Sequence, residues 1–545
     1  MELQGRSKGP SSAPPISSIQ RCSAPKKPIR NLFIVPLALG LILLVAAALR
    51  LYDIGSVPTE LDADEIALYN SAYHIATTGR DLDSSLKPFL YAPVRRNPPV
   101  YAIAAYGSSL IFGRTPLGLR LPAVVFGLIA ILLLYGIGVE LTRRSDVALI
   151  AALLMAAQPI FVHFARVGWE PASELPFLLG GVYLMLRAMR SSAPRTGAIF
   201  AAALVLGLTA YTYMAGWFYA ALLGGGILAF NIRRFATRRG AFVVAGACAV
   251  WLVVAAPALW MWFADWQTVR HTLNLATFAG GISPSSVQTF FVNYAAHFKW
   301  SYLVTTGDPK NGITWRYLNG VGAFFGWVVS LAALGLVVSA RYIRPRWTLA
   351  WTWLWLVAYP LGGALTNEGA PGTPNAPRTL AGAPVFCLLA AIGIALFFDW
   401  ASLLRRPRIA QIGGVGVRAL FAAAMVFSTL YFARFYFTSY VHRSSNAWFS
   451  GTRALFATIS ENRAGYQRVC FNVRRAWYPL TTFELFYLNG IPLRVVDGVD
   501  NPSCFLPGSL AAVDSEHFFI RTGFRVLAKV NDVEGNLFAT LNGNR

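Results

Sequence analysis

Charge is what this sequence has little of. Of its 545 residues only 13% are charged, while 56% are hydrophobic. A soluble domain carries about 25% charged and about 45–50% apolar residues, so a chain built of soluble domains is excluded. Acidic residues number 24 against 47 Lys and Arg, so any clustering of carboxylates carries information. The five cysteines, Cys22, Cys248, Cys387, Cys470 and Cys504, form no CxxC pair and no Cys/His cluster. That argues against a zinc site built on thiolates. No internal repeat is visible, which weakens the case for a secondary transporter built from repeated halves. The formal charge of +23 sits in short clusters between apolar runs, as topology determinants do, and not along one face as a phosphate-tracking stripe would. Nucleic-acid binding is set aside.

What is present is a succession of apolar runs. Eleven are long enough to span a bilayer: 32–49, 118–141, 147–163, 171–189, 197–213, 215–231, 241–262, 318–340, 347–365, 379–398 and 418–437. Aromatics at 14%, with 16 Trp, suit a chain with many membrane–water boundaries. Residues 1–30, rich in Ser, Pro, Lys and Arg, read as a disordered cytoplasmic tail. Ala46, Ala47 and Ala48 resemble a signal-peptide cleavage site, but the run before them is longer than a typical signal core, so an uncleaved helix is expected. With the amino terminus cytoplasmic, the short inside loops hold Arg143, Arg144, Arg187, Arg190, Arg195, Arg233, Arg234, Arg238, Arg239, Arg341, Arg344, Arg346, Arg405, Arg406, Arg408 and Arg418. The short outside loops hold only Arg166 and Arg378. The positive-inside rule then predicts an inner (plasma) membrane protein with its carboxyl terminus outside.

Three longer segments fall outside: 51–117, 263–317 and 438–545. The apolar stretch Pro98 to Phe112 is too short to span and reads as a helix lying at the interface. Residues 438–545 read as a small α/β domain, with helical patterns at Thr452–Asn462 and Thr481–Leu488. Strand patterns fall at Arg468–Val473, Leu493–Val496, Phe524–Val530 and Leu537–Leu541. The expected architecture is an all-α polytopic membrane domain over 31–437, with about eleven transmembrane helices and juxtamembrane helices in its first outside loop, followed by that extracytoplasmic α/β domain. Cys470 and Cys504 are the two cysteines of that domain, and a disulfide between them is predicted, the alternative being a thiol in a strand core.

Glu60, Asp62, Asp64 and Glu65 crowd into six positions just outside the first span. Such crowding raises the pKa of at least one carboxyl unless a cation sits among them. Asp64, followed by Ile66, Leu68, Tyr69 and Tyr73, resembles the start of an amphipathic helix, so a solvated helix start is the bland alternative. His163, Arg166, Glu170 and Glu174 gather at a second outside boundary, where an Arg166–Glu170 pair at helical spacing is the bland alternative. Arg378 precedes an apolar span in a Gly/Pro-rich loop, where it could equally be a snorkelling anchor.

Several stretches resemble the GT-C glycosyltransferases, in particular the branch of protein O-mannosyltransferases and lipid A aminoarabinose transferases. They are LDADEIALYNSAYHIATTGRD (61–81), RRNPPVYAI (95–103), GLRLPAVVFGLIAILLLYGIGVEL (118–141), PIFVHFARVGWEP (159–171), AYTYMAGWF (210–218) and NAPRTLAGAP (375–384). AWFSGTRALF (447–456) is similar to the soluble tail of prokaryotic members. The resemblance implies an inverting glycosyltransferase that moves a sugar from a polyprenyl-phosphate carrier to a hydroxyl acceptor at the outer face. The acceptor could be a protein, a lipid-linked glycan or a surface polysaccharide. It puts the catalytic Asp on Asp64 with Glu65 beside it, Asp62 being an additional carboxylate. It places juxtamembrane helices in the first outside loop, the second of them at the Pro-containing stretch. Where the family often has Lys or His before that stretch, this chain has Asn97, so Arg95 and Arg96, with Arg378, become the donor-phosphate candidates. Tyr69, His163, Arg166, Glu170 and Tyr213 fall in the same landmarks as substrate-binding candidates. A divalent metal near Asp64 and Glu65 stays open. The competing readings are a transporter or flippase of lipid-linked saccharides, and a polymerase.

Overall fold

The computed structural model describes residues 30–80, 98–191, 194–264, 277–278, 280–307, 318–366, 371–402, 407–445, 447–472, 483, 486–488, 494–497, 502–513 and 524–544. The tail 1–29 and residues 81–97, with Arg95 and Arg96, lie outside them.

The membrane domain opens with α1 (Arg30–Leu51), α2 (Ala63–Thr78), α3 (Pro99–Phe112), α4 (Pro116–Thr142) and α5 (Ser145–Ala157). It continues through α6 (Pro159–Phe164), α7 (Pro171–Ala188), α8 (Thr196–Leu208), α9 (Gly216–Phe230) and α10 (Arg238–Ala264). Then follow α11 (Pro284–Ala296), α12 (Gly326–Tyr342), α13 (Arg346–Ala358), α14 (Leu361–Ala364), α15 (Ala376–Thr379), α16 (Pro384–Ser402), α17 (Pro407–Arg434) and α18 (Tyr440–Ser444). Every predicted span is met by helix, but not always by one helix. The run 147–163 breaks between α5 and α6 at Gln158–Pro159, and 347–365 breaks between α13 and α14 at Tyr359–Pro360, because proline lacks the N–H that would continue the ladder. Among the described residues five helices are long and apolar enough to cross a membrane by themselves, and five more apolar helices are shorter. At 14 residues α3 is about 21 Å long, short of the ~30 Å apolar layer.

Helix α4 is about 40 Å long for its 27 residues. Tight contacts hold the bundle: Gly335 of α12 meets the Leu389 carbonyl of α16, and Gly393 meets the Leu331 carbonyl, so a side chain at either would push the helices apart. At one end of the bundle the turns bearing Arg143, Arg190 and Arg234 come together with Pro345 and Trp347, and Arg144 reaches Asp399 of α16 at 2.7 Å. Four of the arginine-rich loops that hydropathy assigned to one side thus share one face among the described residues.

The carboxyl-terminal domain is α19 (Thr452–Glu461) and a five-stranded sheet of order β2-β1-β3-β5-β4. Its strands are β1 (Arg468–Asn472), β2 (Arg494–Asp497), β3 (Ser509–Val513), β4 (Arg525–Asn531) and β5 (Leu537–Asn544). β1 pairs parallel to β2 and β3, and β5 pairs antiparallel to β3 and β4. The four predicted strands are present. Half of the predicted helix at Thr481–Leu488 falls outside the described residues. β3 is the strand that the pattern reading misses: all five residues are buried, so no alternation marks it. Cys470 of β1 is bonded to Cys504, as predicted.

Candidate active site

The acidic cluster folds as a helix start with a lock beneath it. Asp62, not Asp64, is the N-cap of α2. Its carboxylate accepts the Asp64 N–H at 2.9 Å, and the Glu65 carboxylate returns to the Asp62 N–H at 2.8 Å, a capping box. The signal was in the sequence, since Asp62 and Glu65 stand at capping-box spacing. Asp64 falls in the first turn, half-buried, while Asp62 and Glu65 are fully buried.

Glu65 is held by four donors, two on each oxygen. Oε1 accepts from Arg120 Nε at 2.9 Å and from the Gly168 N–H at 2.6 Å. Oε2 accepts from Arg120 Nη2 at 3.1 Å and from the Asp62 N–H at 2.8 Å. A carboxylate offers about four lone-pair sites, so nothing remains for a metal or an acceptor. The part expected of Glu65 is to assist Asp64 by binding the acceptor or a metal; the geometry found is four hydrogen bonds on its carboxylate, an arrangement that positions the start of α2. Arg120, in turn, reaches the carbonyls of Ile54, Pro58 and Glu60 as well as Glu65, which engages all five of its N–H donors. Reading the sequence for site residues passed over Arg120. Its signal was a lone cation one turn into an apolar span, where an unpaired charge is expensive.

Neighbouring side chains complete the frame. Arg166 donates to the carbonyls of Leu49 and Arg50 at 3.0 and 2.8 Å and of Val57 at 2.8 Å, stapling the end of α1, and its guanidinium lies over the Phe437 ring at 4.8 Å. No Arg166–Glu170 ion pair forms among the described residues. His163 is fully buried, 2.9 Å from the Tyr436 hydroxyl and edge-on to Phe164, Tyr440 and Trp448. Tyr69 is buried against Tyr73, Tyr106 and Phe486, joining α2 to α3 and the carboxyl-terminal domain. All three substrate-binding candidates thus make packing or hydrogen-bond contacts within the fold. Trp448, from the last sequence landmark, stacks on Trp169 with centroids 5.6 Å apart and lies beside Arg120 at 5.9 Å. Four landmark segments far apart in sequence therefore converge on one lock.

The accessible groups are fewer. Asp64, Glu170 and Tyr213 are half-buried. Glu170 stands at the N-terminus of α7, beside Asp64 and Asp62. Burial, then the charges of Asp64 and Asp62, push its pKa up to about 8. Ser173 Oγ reaches the Thr212 carbonyl at 3.3 Å, which brings the Tyr213 turn to the start of α7. One turn deeper, Glu174 is fully buried, with neither carboxylate oxygen hydrogen-bonded among the described residues. Arg378 is buried at α15, where the Tyr219 hydroxyl lies 3.4 Å from its carbonyl. Glu60 holds the loop to the carboxyl-terminal domain: its carboxylate lies 3.9 Å from Arg453 Nε, and burial pushes its pKa up to about 7. Among the described residues no group of three or more His, Cys, Asp or Glu could hold a metal.

The fold and this lock belong to a helical membrane-protein bundle that carries a small carboxyl-terminal sheet domain. Residues 96–262 match the family model described as dolichyl-phosphate-mannose-protein mannosyltransferase. The fold is similar to that of ArnT from Cupriavidus metallidurans, whose crystal structure is bound to undecaprenyl phosphate. That similarity covers 93% of this chain and 97% of that chain, with a TM-score of 0.54 and 15% identity. It is also similar to that of the archaeal oligosaccharyltransferase AglB from Archaeoglobus fulgidus, in complex with an inhibitory peptide and a dolichol-phosphate. There the cover is 89% and 70%, the TM-score 0.55 and the identity 14%. No curated protein matches the chain by sequence.

Proposed function

We propose that this chain is an inverting glycosyltransferase that moves a sugar from a polyprenyl-phosphate carrier to a hydroxyl acceptor at the outer face of the membrane. The observation that carries the reading is Asp64: a half-buried carboxylate in the first turn of α2, on a backbone fixed by the Glu65–Arg120 lock. The family match over residues 96–262 and the likeness to two lipid-phosphate-bound structures support it.

The acceptor oxygen attacks the anomeric carbon from the face opposite the phosphate. As the new C–O bond forms, Asp64 takes the hydroxyl proton and the bond to phosphate breaks, the electron pair leaving with the polyprenyl phosphate. Glu170, neutral at pH 7 by its raised pKa, places no second negative charge beside Asp64. Arg378, with Arg95 or Arg96, neutralises the departing phosphate. Tyr213 borders the acceptor, and no metal is assigned. Asp64 lies outside and the arginine-rich face is cytoplasmic.

The test is transfer from a radiolabelled polyprenyl-phosphate sugar in proteoliposomes. Asp64→Asn keeps size and shape but cannot accept a proton. It should lower transfer by at least about a hundredfold, the lower range for a general base, while the protein stays folded. Asp62→Asn is the control and should keep most activity, since Asn caps a helix about as well as Asp. If the two variants behave the other way round, the base is Asp62. Movement of label across the membrane without transfer would establish a flippase instead.

A further inference from the structure

The end of α4 farthest from the lock carries a second constellation. Arg120 is in the first turns of α4 and Arg143 caps its other end, about 35 Å away along the axis. Arg143, Arg190 and Arg234, from the ends of α4, α7 and α9, line one cavity of about 360 Å³ together with Glu140, Asn231 and Trp347. A neighbouring cavity of about 330 Å³ shares Arg190 and Ser191 with it and adds Arg187 and Arg195. Five guanidinium groups thus border a cleft of two adjoining cavities whose lining holds one carboxylate.

Glu140 organises it. Its side chain is 5% exposed; Oε2 accepts from Arg143 Nη1 at 3.2 Å and Oε1 from Arg190 Nη1 at 3.3 Å. One buried carboxylate holds side by side two cations that would otherwise repel each other, and the pair keeps a net positive charge. Both guanidinium groups retain N–H donors that make no other hydrogen bond among the described residues. Arg234 is anchored on the carbonyls of Met189 and Ser191. The first turn of α13 also lines the cleft, without a side-chain cap, and a helix N-terminus adds partial positive charge. Arginines that set topology need only lie on the correct face. They need not converge from three elements on one cavity around a shared buried carboxylate.

We propose that this cleft binds a phosphate diester presented by an anionic phospholipid of the membrane itself. The lipid source follows from the rim. Phe230 and Ile232, on either side of Asn231, are 45% and 55% exposed, so apolar surface for acyl chains adjoins the cationic cleft. Basic pockets between membrane helices take such headgroups by charge and hydrogen bonds together. The site is separate from the candidate active site and does not depend on the chain being a transferase.

The full-length protein is reconstituted in vesicles of equal phosphatidylglycerol and phosphatidylcholine, extracted, and its retained lipids are counted by native mass spectrometry. Wild type should hold phosphatidylglycerol at least about fivefold over phosphatidylcholine. Arg190→Gln with Arg195→Gln should abolish that preference. Arg238→Gln with Arg239→Gln removes equal charge from exposed positions outside the cleft and should leave the preference intact. Arg195→Gln alone, which leaves Glu140 both partners, should weaken it and serves if the double variant does not fold. No preference in wild type, or an equal loss in both double variants, overturns the proposal. Displacement of the retained lipid by millimolar glycerol 3-phosphate would show that the phosphate comes from solution and would overturn the lipid assignment.

Discussion

Replacing Glu65 by Gln separates the two parts this residue could play. The carboxylate accepts two hydrogen bonds on each oxygen. Gln keeps the shape and one acceptor oxygen, but its NH₂ turns toward two N–H donors and the pair with Arg120 loses its negative charge. Both side chains are 0% exposed, so no solvent screens the loss. Removing one partner of a buried pair costs about 3–5 kcal/mol. Through Arg120 the damage reaches the carbonyls of Ile54, Pro58 and Glu60, so the whole approach to α2 should loosen. The assay is thermal unfolding in nanodiscs beside sugar transfer, and both should fall, with part of the transfer returning on cooling. A Glu65→Gln protein that melts like wild type yet has lost a hundredfold in transfer would refute the lock and return Glu65 to the chemistry. One that is unchanged in both would refute any role.

Three other outcomes follow from the same geometry. Glu170 is neutral below its raised pKa, so transfer should fall on the alkaline side with an apparent pKa of about 8, and Glu170→Gln should remove that limb; a limb that survives the change assigns it elsewhere. The sign for stability is the same: the contribution of Glu170 is fully present below its ordinary carboxylate range and is lost as pH rises through about 8, because ionising a partly desolvated carboxyl beside Asp64 and Asp62 opposes folding. A methyl group at Gly168 would stand 2.9 Å from Glu65 Oε1 and 3.2 Å from the Leu119 carbonyl, so Gly168→Ala should destabilise by about 1–3 kcal/mol and lower transfer; wild-type melting would refute the tight contact. Arg378→Ala should raise the donor concentration needed and lower turnover, and unchanged donor kinetics would make Arg378 a structural residue.

What the sequence determined by itself is what local chemistry decides. Hydropathy needs no partner, so the membrane runs, the short helix after Pro98 and the alternation of arginine-rich loops were all legible. The Asp64 carboxylate stood out because acidic residues are scarce, and four strands of the terminal sheet followed from their alternation and β-branched content. Tertiary structure alone decided which charged groups are exposed and which are fastenings. Glu65 meets Arg120 across 55 residues and Gly168 across 103, and His163 meets Tyr436 across 273. No spacing rule reaches so far. Read locally, Arg166, His163 and Tyr69 carry the same functional groups as a substrate site. Folding surrounds them with carbonyls and rings, whereas Asp64, one residue before Glu65, stays half-buried because the helical turn carries it away from the lock.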